Sequence, residues 1–264
     1  MARNSLKSVI RLIDVANKEL SVEQEFLHDL QTSIEKYAIE TATKPSQTYK
    51  PSGMNCNRVM VYQVLGLEPD KLSTTYQLEG ICESGTDRHI RIQQAIEKMH
   101  KVLGVDCEYI NVADFVKQRN LTDLEIKGQN GMETKLYNKK YNMSFMTDGI
   151  IKYNDKYYIF EFKTETADKF YNRTGVDTKH YNQATAYALS FGLDKVLFIY
   201  ENRNTLDKKA FVFEVTDEMK KQLISRIEYC DSYVKNNKIP PKSSDLDKRV
   251  CSYCIYKTQC GKDM

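Results

Sequence analysis

Apolar residues recur at helical spacing in two places near the start of the chain, at Leu6, Val9, Ile10 and Ile13 and again at Phe26, Leu27, Leu30, Ile34 and Tyr37. Each run predicts an amphipathic helix within residues 5–40. Ser21 and Gln24, three apart at the head of the second run, have the chemistry of a capping box. The stretch TATKPSQTYKPSG then breaks the periodicity with two prolines among Thr, Ser and Gly, and reads as a linker. Helical patterns resume near 56–65 and, at greater length, near 77–103, whereas 105–140 has no sustained period and reads as irregular. Two strands, a helix near 177–191, two strands near 195–201 and 209–215, and a helix near 217–235 follow. This order predicts a mixed α/β core. Residues 1–44 are expected to form a helical extension and 45–264 a single domain.

The densest pattern is MSFMTDGIIKYNDKYYIFEFKTE, where two aromatic-rich apolar runs meet at Asn154 and Asp155, a pair suited to a two-residue hairpin turn. With that turn Tyr153 faces Lys156, and the same register puts Asp148 across from Glu161. Opposed side chains on paired strands have Cβ atoms about 4.5–5.5 Å apart, where like charges destabilise. A divalent cation between the two carboxylates removes that penalty; without one, a carboxylate is expected to keep its proton. Alternation puts Tyr157, Ile159, Glu161 and Lys163 on one face of the sheet, and Tyr158, Phe160 and Phe162 on the other. The aromatic face is expected to pack and the Glu161–Lys163 face to carry chemistry.

Two flanking segments add polar groups at helical spacing. ESGTDRHIRI stacks Gly85 and His89 four residues apart, the glycine expected to let a helix approach the sheet and the histidine to project at the carboxylates. HYNQATAYAL stacks Gln183 and Tyr187, with His180 one turn earlier. Each segment alone is also what an ordinary amphipathic helix presents, and Asp-x12-Glu-x-Lys alone is also a solvated strand face.

Thirty-nine basic against thirty-six acidic residues leave a net charge of +3, too weak a field to indicate nucleic acid by itself. Such a partner has to be argued from local sites. KQRN and YNKKY are basic enough to touch phosphate but read as solvated loop. No stretch approaches eighteen apolar residues, which argues against a membrane-spanning helix. Arg3, Lys7, Arg11 and Asp14 interrupt the apolar core that a signal peptide needs, and seven cysteines without scaffold spacing point to a reduced, cytoplasmic protein. Three of the seven, Cys251, Cys254 and Cys260, form a Cys-x2-Cys-x5-Cys pattern, which is an incomplete metal site. Cys82, Cys107 and Cys230 stand in apolar or amphipathic surroundings and are expected in the core.

Taken in order, Gly85-x3-His89, Asp148, Glu161-x-Lys163 and Gln183-x3-Tyr187 resemble the PD-(D/E)XK nuclease superfamily. The resemblance is to its RecB-type branch, which includes the nuclease domains of bacterial helicase-nucleases and the CRISPR-associated adaptation nucleases. It covers about residues 50–262 with gaps, leaves 1–48 outside, and departs from the superfamily's name at Thr147, where a proline would precede Asp148. It implies a restriction-endonuclease-like α/β core, a mixed central sheet flanked by helices. It implies that Asp148, Glu161, the Phe162 carbonyl and His89 hold Mg²⁺ or Mn²⁺, that Lys163 orients the attacking water, and that Gln183 and Tyr187 position the DNA backbone.

The resemblance also supplies a fourth thiol, Cys56, since a first cysteine precedes the catalytic core in this branch and three follow it. In its iron–sulfur members such cysteines hold a [4Fe-4S] cluster. Four thiolates equally suit tetrahedral zinc, and spacing does not separate the two. Joining Cys56 to Cys251 would close a loop of about 195 residues, and such a staple stabilises by on the order of 4–5 kcal/mol. The implied activity is hydrolysis of DNA phosphodiester bonds, often exonucleolytic on single strands or DNA ends, in recombination, repair, replication or CRISPR adaptation. A helicase, a recombination protein or a CRISPR integrase is the implied partner. Two further readings share the pattern: a catalytically silent nuclease fold that binds DNA or serves as an adaptor, and a zinc-stapled endonuclease.

Overall fold

The computed structural model describes residues 21–41, 45–70, 75–130, 133–243, 251–252 and 254–262. They divide into two compact units, one of 21–41 with 75–82, the other of 45–70 with the residues from 83 onward. A break thus falls beside the boundary expected at residue 44, and the start of a long helix joins the N-terminal segment.

In the smaller unit, helix α1 (Val22–Glu40) begins after Ser21, whose backbone N–H donates to Gln24 Oε1 at 3.1 Å in the expected capping box. Phe26, Leu27, Leu30 and Tyr37 of its apolar face are exposed. The Tyr76 N–H donates to the Glu35 carboxylate at 3.0 Å. Cys82, expected in a core, is exposed. The amphipathic run at Leu6–Ile13 lies outside the described residues.

The elements that follow are α2 (Asn57–Val64), α3 (Tyr76–Leu103), β1 (Cys107–Ile110), α4 (Val112–Gln118), β2 (Leu124–Asn130), β3 (Glu133–Asn138), β4 (Met143–Thr147), β5 (Gly149–Tyr153) and β6 (Lys156–Glu165). After them come α5 (Ala167–Tyr171), α6 (Tyr181–Phe191), β7 (Lys195–Asn202), β8 (Lys208–Glu214), α7 (Asp217–Lys235) and α8 (Lys257–Lys262). In the larger unit a five-stranded sheet has the order β1-β5-β6-β7-β8, with β6 and β7 parallel and the other pairs antiparallel. A second, antiparallel sheet has the order β2-β3-β4. The architecture is mixed α/β, a mixed central sheet flanked by helices. Among the described residues no helix is long and apolar enough to cross a membrane.

Strand β6 explains how the central sheet is held. Its Ile159 joins Val196, Phe198 and Tyr200 in a core with Ala184, Ala188 and Phe191 of α6 and Leu223 and Ile227 of α7. Its Phe160 and Phe162 join Ile151 in a second core with Ile92 and Ile96 of α3. The strand is thus buried on both faces, as strands with a parallel neighbour usually are. The Glu161–Lys163 face is not reserved for chemistry, because apolar packing continues on it at Ile159.

Two segments differ from expectation. The supposed linker carries Tyr49 into the core: its N–H donates to the Asn142 carbonyl at 2.9 Å, its carbonyl accepts from Ser144 N–H at 2.9 Å, and its hydroxyl donates to Asp231 Oδ1 at 2.7 Å. The supposed irregular region 105–140 contains β1, α4, β2 and β3. These elements are four to seven residues long, too short to show a sustained period.

Candidate functional site

The β5–β6 hairpin turns at Asn154 and Asp155, both at positive φ (48° and 58°), as the two-residue turn demands. Its register runs from Tyr153↔Lys156 to Gly149↔Phe160, as expected. On the other side, Thr147 of β4 pairs with Thr134 of β3. Asp148 is the single residue between β4 and β5 and so joins the two sheets. One further step in each register sets it between Glu161 on β6 and Glu133 on β3, three carboxylates in a lateral row. Asp148 and Glu161 are buried. Glu133 escapes sequence reasoning, because it stands in the region that reads as irregular.

His89 reaches this row from α3. Its Nδ1 lies 3.0 Å from Asp148 Oδ1 and 3.5 Å from Glu133 Oε1, and its ring meets Phe162 edge-on at 5.0 Å between centroids. His89, Glu133 and Asp148 each offer one ligand atom, all within 4.8 Å of one another. Asp148 Oδ2 accepts the Phe162 N–H at 2.6 Å. In an antiparallel ladder the N–H and C=O of one residue face the same neighbour, so the Phe162 carbonyl leaves β6 on the Asp148 side. The Asp148 carbonyl accepts from Gln93 Nε2 at 2.6 Å and from the Tyr109 hydroxyl. This crossing requires Gly149, whose φ is +143° and whose missing Cβ would collide with the Tyr109 ring and hydroxyl. Gly85, by contrast, has nothing within 4 Å of a Cβ position, so the close helix approach expected of it does not occur.

Glu161 Oε1 receives Lys163 Nζ at 2.5 Å and Gln183 Nε2 at 3.0 Å. Gln183 Nε2 also donates to the Tyr187 hydroxyl at 2.9 Å, which in turn donates to the Met146 carbonyl at 2.9 Å. Tyr187 is 4% exposed. Its hydroxyl is enclosed and engaged on both sides, and through Gln183 it links Glu161 to β4. His180 stacks on Phe198 rather than reaching the carboxylates. Burial, with the Lys163 charge, pushes its pKa down to about 3, leaving it neutral.

Burial dominates the electrostatics of the row. It pushes the Glu161 pKa up to about 7, Lys163 opposing and Asp148 reinforcing the shift. Glu133 is raised for the same reason, with Asp148 adding to it. For His89, burial is the largest single influence and acts downwards, but the hydrogen bond and charge of Asp148, with the charges of Glu133 and Glu161, outweigh it and raise the pKa. Lys163 is raised likewise, because Glu161 and Asp148 overcome its desolvation. Carboxylate oxygens with one imidazole form a donor set suited to Mg²⁺ or Mn²⁺.

The four cysteines form a second constellation. Cys56, Cys251, Cys254 and Cys260 line one cavity of about 180 Å³ with Arg58, Tyr62 and Lys257. The C-terminal segment is docked there by Tyr62 against Tyr256 at 5.2 Å, and by Asp70, whose N–H donates to the Ile255 carbonyl and whose Oδ2 accepts Thr258 N–H, both at 2.7 Å. Arg58 Nη1 donates to the Cys260 carbonyl at 3.0 Å and to its Sγ at 3.3 Å. Burial raises the Cys254 pKa, with Cys56, Cys260 and Cys251 adding to the shift. Among the described residues no three of these sulfurs lie mutually within 4.8 Å. Cys107 and Cys230 are buried, as expected.

No family model matches the chain, and no curated protein matches it. Among solved structures the chain is similar to the crystal structure of SSO0001, at 16% identity and a TM-score of 0.45, over 88% of this chain and 96% of that one.

Proposed function

We propose that this protein is a metal-dependent DNA nuclease with a restriction-endonuclease-like core of the PD-(D/E)XK type. The observation that carries the proposal is the row in which the buried Asp148 stands between Glu133 and the buried Glu161, with His89 and Lys163 against it. Like charges in register destabilise a sheet unless a cation reconciles them. The donors that fit such a cation are His89, Glu133 and Asp148, whose ligand atoms lie mutually within 4.8 Å; Glu161, now held by Lys163 and Gln183, and the Phe162 carbonyl would complete the shell around Mg²⁺ or Mn²⁺, the imidazole favouring Mn²⁺ as a substitute. A divalent ion bound there supplies positive charge to a phosphate oxygen and makes a water more acidic.

The remaining work falls to the chain. Lys163, kept protonated by Glu161 and Asp148, orients the attacking water and offsets negative charge as it develops on the phosphate. Gln183 holds Glu161 in place, and Tyr187 holds Gln183. The substrate is single-stranded DNA or a DNA end, presented by a helicase, a recombination protein or a CRISPR integrase. The test is hydrolysis of linear single-stranded, linear duplex and circular DNA with Mn²⁺ or Mg²⁺. Linear strands should be degraded and circles spared; if neither ion supports cleavage of any form, the proposal fails.

For the cysteines we propose a [4Fe-4S] cluster in a stapling role. Four thiols lining one cavity suit a cluster or a zinc ion by their chemistry, and the resemblance to the iron–sulfur members of the RecB-type branch favours the cluster. Absorbance near 400 nm and bound iron in the purified protein test this; stoichiometric zinc without iron would overturn it.

A further inference from the structure

Resting on the nuclease reading, we infer that Arg88, Arg91 and Lys208, anchored on Glu201, form a seat for a phosphate of the DNA strand that enters the carboxylate row. Glu201 of β7 has a side chain with no exposed surface, and three cations converge on it. Arg88 Nη1 is 3.4 Å from Oε1, Arg91 Nη2 is 2.8 and 2.9 Å from the two oxygens, and Lys208 Nζ is 3.1 Å from Oε2. Arg88 Nη2 is also tied to the Arg203 carbonyl at 3.0 Å.

A single carboxylate neutralises one of three cations, so two positive charges remain in excess. Joining a helix to a sheet needs one partner for a buried carboxylate; a second and third repel each other and raise the cost of the cluster. They have a use if a second anion joins them. Access suits this, since the Arg91 side chain is 46% exposed and that of Lys208 36%. Glu201 engages Nη2 of Arg91, and a guanidinium carries five N–H donors in a planar fork that matches two phosphate oxygens.

Position also suits it. Arg88 directly precedes His89 in α3, and Glu201 pairs with Thr164, the residue after Lys163 in β6. Alternation turns Thr164, and with it Glu201, to the α3 face of the sheet, opposite Lys163, so the seat adjoins the row through α3, where His89 reaches Asp148 and a strand with one phosphate at the row would set a neighbouring one. That neighbour is either an internal phosphodiester or a terminal phosphate, which present the same oxygens to the fork.

The test is binding of end-labelled single strands to the full-length protein by fluorescence anisotropy over a range of salt, with Ca²⁺ replacing Mn²⁺ to prevent cleavage. Strands ending in hydroxyl, 5′-phosphate or 3′-phosphate separate the two sources. Arg91→Ala combined with Lys208→Ala should weaken binding by tenfold or more and flatten the salt dependence by about 0.7 in log–log slope for each phosphate no longer neutralised. Arg91→Lys, which keeps the charge without the fork, should weaken binding less. A loss of affinity confined to strands with one phosphorylated end assigns a terminal phosphate; an equal loss on all strands assigns the backbone.

Wild-type affinity and slope in both the double variant and Arg91→Ala alone would overturn the seat. So would failure of the unaltered protein to bind any strand, or a lowered melting temperature while the folded variant binds normally. Strands bound through the seat but never cut with Mn²⁺ would remove the nuclease reading and leave the seat; strands cut equally well by the variants would remove the seat and leave the nuclease reading.

Discussion

The carboxylate row and the cysteine cavity are both assembled from segments far apart in the chain, yet they are held in different ways. In the row, Asp148 is tied at both side-chain oxygens and at its carbonyl, and Glu161 is held by Lys163 and Gln183. In the cavity, Arg58 reaches the sulfur of Cys260, and the rest of the order comes from docking the C-terminal segment through Tyr256 and Asp70. The chemistry of the donors accounts for the contrast. A carboxylate in a buried site costs several kcal/mol unless hydrogen bonds or cations meet it, so the protein surrounds it with partners. A thiol is a weakly polar group that sits among apolar atoms without such help. The row is prepared by hydrogen bonds, and the cavity is prepared by packing that leaves room.

This contrast can be broken from either side. The largest effect is expected at Lys163, where Lys163→Ala should lower Mn²⁺-dependent cleavage by about a hundredfold or more and leave Mn²⁺ binding measurable by calorimetry. Retained activity would remove the role given to Lys163. Glu133→Gln should weaken Mn²⁺ binding by about tenfold to a hundredfold; unchanged affinity would show that Glu133 stands beside the ion without holding it. Cys254→Ala should remove absorbance near 400 nm and, by loss of a staple worth on the order of 4 kcal/mol, lower the melting temperature by about 10 °C. A variant that keeps its colour eliminates this ligand set.

The row should also respond to pH with a definite sign. Burial raises Glu161 from its usual 4.5 to about 7, and His89 is raised as well. Both groups bind their proton more tightly in the folded state. The metal-free protein is therefore favoured at low pH and loses stability as pH rises from about 4.5 through about 7. Mn²⁺ competes with those protons, so the gain in melting temperature with Mn²⁺ should be larger at pH 8 than at pH 5.5. Equal gains would show that neither group titrates on metal binding. The smallest effect is expected at Tyr187→Phe, a few-fold loss of activity with little change in metal affinity, since its hydroxyl acts through Gln183. A loss as large as that of Lys163→Ala would return Tyr187 to direct contact with substrate.

Much of the row is legible along the chain, because Asn154-Asp155 selects one turn and that turn selects one register. Glu133 is not legible in the same way. Its partner strand β4 is reached across a separate hairpin, and the short elements of 105–140 show their identity through pairing with neighbours. Tyr49 escapes a local reading for a related reason: prolines and small polar residues stop regular structure locally, but a bridge to Met143 and a bond to Asp231 take the chain into the core. Tyr187 shows the opposite case, on the expected side of its helix but enclosed there, because helical spacing gives the side of a helix and says nothing of what covers it.

The break of the run 143–153 into β4 and β5 at Asp148 does not follow from the amino-acid order alone, whereas the helix at 181–191, the strands β7 and β8, the helix α7 and the hairpin whose register opposes Asp148 to Glu161 do. These are matters of local period, turn chemistry and residue identity, which act over a few positions along the chain. Folding in three dimensions was needed to make Glu133 complete the row, to enclose Tyr187, and to gather three cations on Glu201. Each of these depends on burial and on contacts between residues distant in sequence, where the cost of an unpaired charge is set by its surroundings and not by its neighbours in the chain.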